Sequence, residues 1–338
     1  MTIDARAAAR REIGGVERWA RELAARLPRT TSGRYAVAQP RPALAHRAGH
    51  AWEQAVLPLR ARGSQFVLCP ANLAPLASGR NVVVVHDVAP LRHPEWYGRA
   101  YVAWQRALLP AIARRAVRLV AVSEFARREL VEVLGANPDR TVVIPGGVDE
   151  RFKPDAPRPL GIHRPYVLTV GTRIARKNLG ALRATAEMLE RRGIELVSAG
   201  SGRGYMRAED APPVRAFGYV PDEDMPGLYA HAEAFVMPSL YEGFGLPCIE
   251  AMACGTPVVA ADRAALPETC GDAALLADPE DGAAFSAVVE RVLDDEALRT
   301  RLREAGLARA RSLTWDRTAG EVDALIGRLL RSAISPSP

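Results

Sequence analysis

Two series of short apolar segments, one in each half of the chain, constrain the fold more than any other feature. Continuous runs of Val, Ile and Leu, as opposed to alternating ones, are typical of parallel strands that are buried on both faces. Stretches with helical spacing separate them, so the sequence predicts two doubly wound α/β domains in tandem. The segments are Tyr35–Ala38, Phe66–Cys69, Val82–Val85, Leu119–Val122 and Val142–Ile144 in the first half, and Tyr166–Val170, Ile194–Ala199, Ala234–Met237, Val258–Ala261 and Ala274–Ala277 in the second.

A proline-rich segment divides the two series. Arg151–Pro165 carries four prolines among charged residues and is interpreted as a linker. The expected domains are therefore residues 1–152 and 165–315, with crossover helices such as Ala100–Val117. Thr2–Ala5 is at best a stub of a strand.

The charge is unevenly distributed along the 338 residues. Residues 1–150 contain 22 Lys and Arg against 13 Asp and Glu, whereas the remainder contains 23 against 26. The basic half predicts a surface that faces an anionic partner, either a membrane or a phosphate-bearing acceptor. The basic residues are dispersed and are not interleaved with aromatic residues, which argues against nucleic acid. A general preference for Arg is the plainer interpretation, because only Lys153 and Lys177 are lysines.

The cysteines and the hydropathy pattern indicate the cellular compartment in which the protein is expected. Cys69, Cys248, Cys254 and Cys270 lack the paired short spacings of a metal site, so we expect reduced thiols. No run of 18 apolar residues occurs, and the N-terminus lacks the apolar core of a signal peptide. We therefore expect a cytoplasmic protein, and the basic first half leaves open a peripheral contact with the inner face of the membrane.

The stretch Met237–Ala260 carries the strongest indication of chemistry. It is interpreted as a strand, a loop with two glycines, a helix that Pro247 opens, and a second strand. Glycines before a helix leave backbone N–H groups bare, and such a helix start attracts phosphate. Glu242 and Glu250 flank this loop, and carboxylates bind hydroxyl groups well. Phosphates on the amides and sugar hydroxyls on the glutamates would satisfy both, so the pattern predicts a nucleotide-sugar site.

Two further strand ends carry polar residues, where open parallel sheets bind their ligands. His86 follows the run Val82–Val85, and its neighbour Asp87 either orients the imidazole or caps the next turn. Just beyond, Arg92 and His93 are candidates for contacting an acceptor.

The corresponding strand end of the second half is cationic. Gly171 is followed by Thr172, and then by Arg173, Arg176 and Lys177 within five residues. Such a cluster predicts a diphosphate clamp, with a solvated basic turn as the alternative.

Two weaker motifs have competing interpretations. Gly14 and Gly15 precede a helical pattern, where they form either a phosphate loop or a simple turn and cap. Asp222 and Asp224 form an Asp-x-Asp, but they lie between a proline and a helical segment, so we expect helix capping and no catalytic metal. The usual signatures of serine hydrolases, Walker NTPases and zinc proteases do not occur.

The stretch Met237–Ala260, in which seven residues separate Glu242 from Glu250, closely resembles the signature of the retaining GT-B glycosyltransferases of family 4. The resemblance covers nearly the whole chain. It extends over Gly14–Glu17, Val85–Asp87, Val122–Phe125, Ile144–Asp149, Arg176–Leu179 and Phe217–Val220.

The resemblance implies a GT-B fold, in which two Rossmann-like domains face a cleft, with the first domain on the acceptor side and completed by a last helix at about 316–332. It also implies site roles. Glu250 would hold the ribose, Glu242 the donor sugar near its 3-hydroxyl, and His86 the sugar near the reacting carbon, while backbone near Val220 would frame the base. The implied catalytic set is His86, Arg173, Lys177 and Glu242, and the implied donor-binding set is Gly14, Gly15, Thr172, Arg176, Val220, Gly243, Phe244, Gly245, Leu246 and Glu250.

Two departures from the family pattern affect the cationic turn. Many relatives carry arginine where Thr172 stands, so the family's arginine corresponds to either Arg173 or Arg176. Ala175 replaces a frequent proline.

The function so implied is transfer of a hexose or deoxyhexose from a nucleotide-diphosphate sugar to an acceptor hydroxyl, with retention and without a metal or other cofactor. The acceptor would be a glycan, a lipid-linked molecule or a small molecule. A GT-B-like nucleotide-sugar epimerase, which needs no acceptor, and a catalytically inactive nucleotide-sugar-binding partner protein are the alternatives.

Overall fold

A six-stranded parallel sheet lies at the centre of each of two units. The computed structural model describes residues 1–158, 161–171, 173–200 and 214–334. Unit 1 is drawn from Met1–Arg92, Ala103–Gly147 and the segment from Trp315 onward, and unit 2 from His93–Val102 and Val148–Thr314.

The sheet of unit 1 has the strand order β2-β1-β3-β4-β5-β6, and all its pairings are parallel. All five residues of β4 are buried, as a strand covered on both faces requires. The strands are β1 (Thr2–Asp4), β2 (Ala36–Ala38), β3 (Val67–Cys69), β4 (Asn81–Val85), β5 (Arg118–Ala121) and β6 (Thr141–Val143).

Strand β1 is better integrated in the sheet than the sequence predicts, since Thr2–Ala5 was expected to be at best a stub of a strand. Although it has only three residues, it lies inside the sheet, where Ile3 pairs with Val37 of β2 and Leu68 of β3. All three residues are buried. Partners on both sides and complete burial compensate for its short length.

Helices flank this sheet, and the last one comes from the far end of the chain. On this helix Asp323 accepts hydrogen bonds from Thr31 (3.1 Å), Arg34 (2.7 Å) and Tyr35 (2.5 Å), which fix it against the start of the unit. The helices are α1 (Gly15–Thr30), α2 (Pro42–Ala55), α3 (Leu57–Arg60), α4 (Ala89–Arg92), α5 (Arg99–Arg115, whose first turn is grouped with unit 2), α6 (Glu124–Leu134) and, at the end, α13 (Trp315–Ile334), with 3-10 turns at Ala7–Ala9 and Pro138–Arg140. The 3-10 turn Pro94–Trp96 is grouped with unit 2.

The sheet of unit 2 has the order β12-β11-β10-β7-β8-β9, and its pairings are again parallel. Five of its strands correspond to predicted apolar runs, with β8 beginning one residue later than predicted. The edge strand β9 was not predicted, since its residues are mostly exposed. The strands are β7 (Tyr166–Val170), β8 (Glu195–Ala199), β9 (Arg215–Gly218), β10 (Ala234–Met237), β11 (Val258–Ala261) and β12 (Ala274–Ala277).

The helices of unit 2 pack on this sheet together with the proline-rich segment that precedes it. Phe152 and Ala156 are buried, and His231 Nε2 donates to the Ala156 carbonyl at 3.0 Å, so the predicted linker is packed at these points. The helices are α7 (Arg183–Arg191), α8 (Met225–Ala230), α9 (Leu246–Ala253), α10 (Leu266–Cys270), α11 (Gly282–Asp294) and α12 (Glu296–Ser312), with 3-10 turns at Ala175–Lys177, Leu179–Leu182 and Gly271–Ala273.

Within the described residues, no helix combines the length and apolar character that crossing a bilayer requires.

Candidate functional site

The cationic turn after β7 and the glutamate loop after β10 meet at the carboxyl edge of unit 2, because these two strands are neighbours in the sheet. Lys177 Nζ lies 2.6 Å from Glu242 Oε1, and Arg176 Nη1 lies 3.3 Å from Glu242 Oε2. Arg176 also donates to the Tyr241 carbonyl at 3.0 Å. Sheet topology thus joins side chains that are 65 and 66 residues apart in the sequence.

This cluster contains one carboxylate and two cations, and it is nearly closed to solvent, since the Lys177 and Glu242 side chains are 11% and 10% exposed. Burial opposes ionisation of Glu242, but Lys177 and Arg176 outweigh it and lower the pKa of this carboxyl. Burial also lowers the pKa of Lys177, against the attraction of Glu242. Glu242 is therefore ionised at neutral pH, and the cluster has a surplus of positive charge.

Backbone geometry around the cluster explains the residue types on either side of Lys177. Gly171 has φ +154°, and a Cβ placed on it would lie 2.9 Å from Lys177 Cε, so the lysine stem occupies the space that a side chain would need. Asn178 adopts a left-handed φ of +53°, and its Nδ2 donates to the carbonyls of Pro238 (3.2 Å) and Pro279 (2.8 Å). These bonds tie the cationic turn to the loop that carries Glu242.

The glycine loop and helix α9 follow Glu242. Gly245 has φ +99°, and a Cβ there would meet Leu266 Cδ2 at 2.7 Å, so a larger residue would be strained and would displace the Leu266 side chain. The Phe244 carbonyl accepts from Thr269 Oγ1 at 2.5 Å. Like Phe244, Gly243 and Leu246 are buried. The loop is thus held by α10 in one conformation at the start of α9.

Glu250 lies on α9 and is buried. Its Oε2 accepts from the hydroxyl of Tyr229 at 2.9 Å, and Tyr229 comes from α8. Sequence patterns do not indicate this tyrosine, because the two residues are on different helices. Tyr229 therefore orients the carboxylate of Glu250, the residue that the family resemblance predicts to hold the ribose.

His86 lies in unit 1, directly after β4, and is buried. Its Nε2 donates to the Pro70 carbonyl at 2.8 Å, and its backbone N–H donates to Asn72 Oδ1 at 2.7 Å. The indole of Trp19 packs edge-on against the imidazole, with 5.5 Å between ring centroids. Burial lowers the pKa of His86, so the ring is neutral at pH 7. Its neighbour Asp87 accepts from Ala89 N at 3.2 Å, and so caps the next turn.

Gly14 and Gly15 lie at the beginning of α1. The Gly14 N–H donates to Glu17 Oε2 at 3.1 Å, and Glu17 Oε1 accepts from Arg10 Nη1 at 3.0 Å. One of the two amides predicted to meet an anion is therefore occupied by a carboxylate of the same chain.

The remaining predicted residues have varied surroundings. Arg92 forms ion pairs with Glu129 (2.7 Å) and Glu132 (2.8 Å). His93 stacks on Trp96, with 4.0 Å between ring centroids. Arg173 is exposed and Val220 half-buried, whereas Thr172 lies outside the described residues.

The Asp-x-Asp interpretation needs correction. Asp224 occupies the cap position of α8, but its side chain makes no capping hydrogen bond. Asp222 instead pairs with Arg151, 71 residues away in the sequence. In the described part of the chain, no group of three His, Cys, Asp or Glu side chains is arranged to hold a metal ion.

Comparisons with known proteins agree with this architecture. Residues 164–295 match the family model described as glycosyl transferases group 1, and residues 63–152 match the model described as glycosyltransferase family 4. The O-antigen chain mannosyltransferase B of Escherichia coli is 34% identical over 264 residues, which cover 70% of this chain and 67% of that protein. Other curated relatives are matched over only 34–57% of their own length.

Solved structures show the same fold. The sucrose-phosphate synthase of Thermosynechococcus elongatus superimposes with a TM-score of 0.76 at 20% identity, covering 98% of this chain and 100% of that one. Anabaena HepE in complex with UDP-glucose gives 0.73 at 17% identity, covering 97% and 99%. Both sheets and the order of elements are thus those of the GT-B glycosyltransferases. The chain belongs to family 4 of the glycosyltransferases, the group 1 glycosyl transferases.

Proposed function

We propose that the enzyme transfers a hexosyl group from a nucleotide-diphosphate sugar to an acceptor hydroxyl with retention of anomeric configuration. The buried cluster of Lys177, Arg176 and Glu242 carries this proposal, because it offers surplus positive charge for a diphosphate and a carboxylate for sugar hydroxyls. Mannose is the first candidate sugar, since a relative that is 34% identical is a mannosyltransferase. The UDP-glucose complex of HepE supports the donor class.

Donor binding would exchange partners within the cluster. Lys177 Nζ donates to Glu242 Oε1 at 2.6 Å, so the two side chains satisfy each other. A diphosphate brings two or more negative charges, so it would draw Lys177 and Arg176 toward its oxygens, with exposed Arg173 adding a third cation. Sugar hydroxyls would then donate to Glu242, and Glu250 would accept from the ribose.

The chemical step would be a substitution on one face of the sugar. The bond between the anomeric carbon and the diphosphate oxygen breaks, and the acceptor oxygen forms its bond to the same face. The acceptor proton passes to the departing phosphate oxygen. Lys177 and Arg176 stabilise the charge that develops on the diphosphate, which is how preorganised cations accelerate such reactions. Retention is checked by NMR of the anomeric proton in the product.

The two side-chain cations supply the charge that a divalent metal provides in other transferases, so we propose that turnover is independent of metal. Activity should then be unchanged by EDTA. A loss of turnover with EDTA, restored by Mg²⁺ or Mn²⁺, would contradict this part of the proposal.

The acceptor is a glycan, a lipid-linked molecule or a small molecule, and acceptor dependence separates the transferase from the alternatives. An epimerase would convert the donor alone, and an inactive partner protein would bind it without turnover. The basic N-terminal half suggests work at the cytoplasmic face of an anionic membrane. Sedimentation with anionic vesicles at low and high salt tests that suggestion, and salt-independent absence of binding would reject it.

The decisive experiment is a thermal-shift screen with uridine-, guanosine-, adenosine- and thymidine-diphosphate sugars, including mannosyl donors. The donor that raises the melting temperature of the wild type is then tested on Glu250→Ala. We expect donor affinity to fall by about tenfold or more, because a hydrogen bond to a charged group contributes about 1.5–3 kcal/mol. Glu304→Ala, an exposed position on α12, is the matched control. Unchanged donor affinity in Glu250→Ala would contradict the proposed role.

A further inference from the structure

We propose that Asn72 is a positioning residue for His86, and that its left-handed backbone conformation serves this purpose. The inference rests on the proposed function and on the role that the family resemblance implies for His86, next to the reacting carbon of the donor sugar. It concerns a residue that the sequence patterns did not single out.

The loop that follows β3 wraps around the end of β4 through three hydrogen bonds. Asn72 N donates to the Val84 carbonyl at 3.0 Å, and Asn72 Oδ1 accepts from the backbone N–H of His86 at 2.7 Å. The Pro70 carbonyl accepts from His86 Nε2 at 2.8 Å. Residues 70–72 therefore fix both the backbone and the imidazole of His86.

Asn72 makes its two bonds from a φ of +67°, a conformation that non-glycine residues rarely adopt. Asn and Asp tolerate it better than other residues, and they also carry a side-chain acceptor. Glycine would adopt the φ easily but would lose the acceptor. The position thus requires a conformation and an acceptor together, which few residue types can supply.

The contact with Pro70 selects one form of the imidazole. A carbonyl oxygen can only accept, so the neutral ring carries its proton on Nε2 and its lone pair on Nδ1. Trp19 of α1 packs against this ring, and Trp315 packs edge-on against Trp19 with 5.4 Å between centroids. The charged groups facing the imidazole are Glu17 and Asp87, and both favour the protonated form against the effect of burial. Asn72 holds the backbone of His86 and the loop that carries Pro70, and the Pro70 carbonyl leaves Nδ1 of the neutral ring available as an acceptor.

The test compares Asn72→Gly, Asn72→Ala and Asn72→Asp by two independent measurements. Nitrogen-15 NMR of histidine-labelled protein reports the tautomer and titration of His86, whose signals are assigned with His86→Gln. Steady-state kinetics report kcat and KM for the donor. Asn137→Ala is the control, since Asn137 Oδ1 also accepts a backbone hydrogen bond, from Asp139 N, in a turn of unit 1.

We expect Asn72→Gly and Asn72→Ala to mix the two tautomers of His86 and to lower kcat/KM about tenfold, which equals ~1.4 kcal/mol. Asn72→Asp keeps the acceptor, so it should keep the Nε2–H tautomer and most of the activity. Its added carboxylate should shift the titration of His86 and the acid limb of the kcat/KM profile to higher pH. Asn137→Ala should change neither measurement.

An unchanged tautomer in Asn72→Gly and Asn72→Ala would overturn the proposal, as would an Asn72→Asp variant that loses the tautomer like the other two. The NMR result stands even if the wild type turns over no nucleotide sugar. In that case the proposed function fails while the positioning of His86 is still decided.

Discussion

Each unit contains a buried ion cluster near a strand end, and the two clusters have opposite charge balance. In unit 1, Arg6 is the cation between two carboxylates, with Nη2 2.6 Å from Glu53 Oε2 and Nε 4.0 Å from Asp4 Oδ2. In unit 2, Glu242 is the carboxylate between two cations. All three groups of the first cluster are at most 2% exposed.

The difference in balance gives the clusters different uses. Burial and the charge of Asp4 raise the pKa of Glu53 to about 7, even though Arg6 opposes the shift, so one proton relieves the surplus negative charge. In unit 2 the surplus is positive, and Arg176 keeps its charge. An anionic ligand such as the proposed diphosphate would balance that charge. The charges of the first cluster are balanced by groups of the chain itself, whereas the proposed donor would supply the balancing charge of the second.

The largest effect is expected from breaking the unit 2 cluster with Lys177→Met. Turnover should fall by about 10²–10³, as when one preorganised donor to a developing charge is removed. Lys153→Met is a natural control, since Lys153 is the only other lysine and is exposed. Equal kcat/KM in the two variants would show that the surplus charge has no role in the reaction.

The unit 1 cluster should give an unusual dependence of stability on pH. The pKa of Glu53 is higher in the folded chain (about 7) than the ordinary value of 4.5, so its contribution is present below pH 4.5 and is lost as the pH rises toward 7. The difference in free energy of unfolding between wild type and Glu53→Gln should change by up to about 3 kcal/mol over this range. For Glu242 the pKa is lowered, so its contribution is lost as the pH falls below 4.5.

Urea unfolding at several pH values measures this difference, and Glu304→Gln on the surface provides the baseline. A Glu53→Gln curve parallel to that of the wild type between pH 4.5 and 7.5 would mean that Glu53 ionises normally.

The smallest effect is expected from Gly171→Ala, which moves Lys177 without removing its charge. The added Cβ would lie 2.9 Å from Lys177 Cε, so the lysine side chain, which contacts Glu242, must shift. Gly33→Ala is the control, because Gly33 also has a positive φ (+76°) but no atom within 4 Å of the added Cβ. Both variants should lose about 1–2 kcal/mol of stability, and only Gly171→Ala should also raise KM for the donor. An equal KM for the donor in Gly171→Ala and Gly33→Ala would show that Gly171 does not affect donor binding through Lys177.

The two clusters also show what the sequence could predict. Lys177 and Glu242 were found because each lies in a polar segment that follows an apolar run, and Glu250 was found because it shares the glycine-containing stretch of Glu242. The partners Arg6 and Glu53 were not, since they lie on different elements and Arg6 looked like one of many dispersed arginines. Strands β7, β10, β11 and β12 were predicted to the residue, because buried parallel strands are continuous apolar runs.

The missed features depend on tertiary contacts. Asn72 is an ordinary loop asparagine in the sequence, and its role needs the neighbouring strand that ends at His86. Asp222 was interpreted as a helix cap from its local neighbours, yet its partner is Arg151. Strand β9 has too few apolar residues to be recognised, because among the described strands it pairs only with β8 and its residues are mostly exposed.

The anchoring of α13 through Asp323 has a consequence for the order of folding during synthesis. The ribosome releases the first residues of unit 1 early, but Asp323 and the rest of α13 emerge only after every residue of unit 2. The hydrogen bonds of Asp323 to Thr31, Arg34 and Tyr35 therefore cannot form until all residues of unit 2 have been synthesised. In a nascent chain, unit 2 should gain resistance to protease before unit 1 does, although unit 1 is begun first.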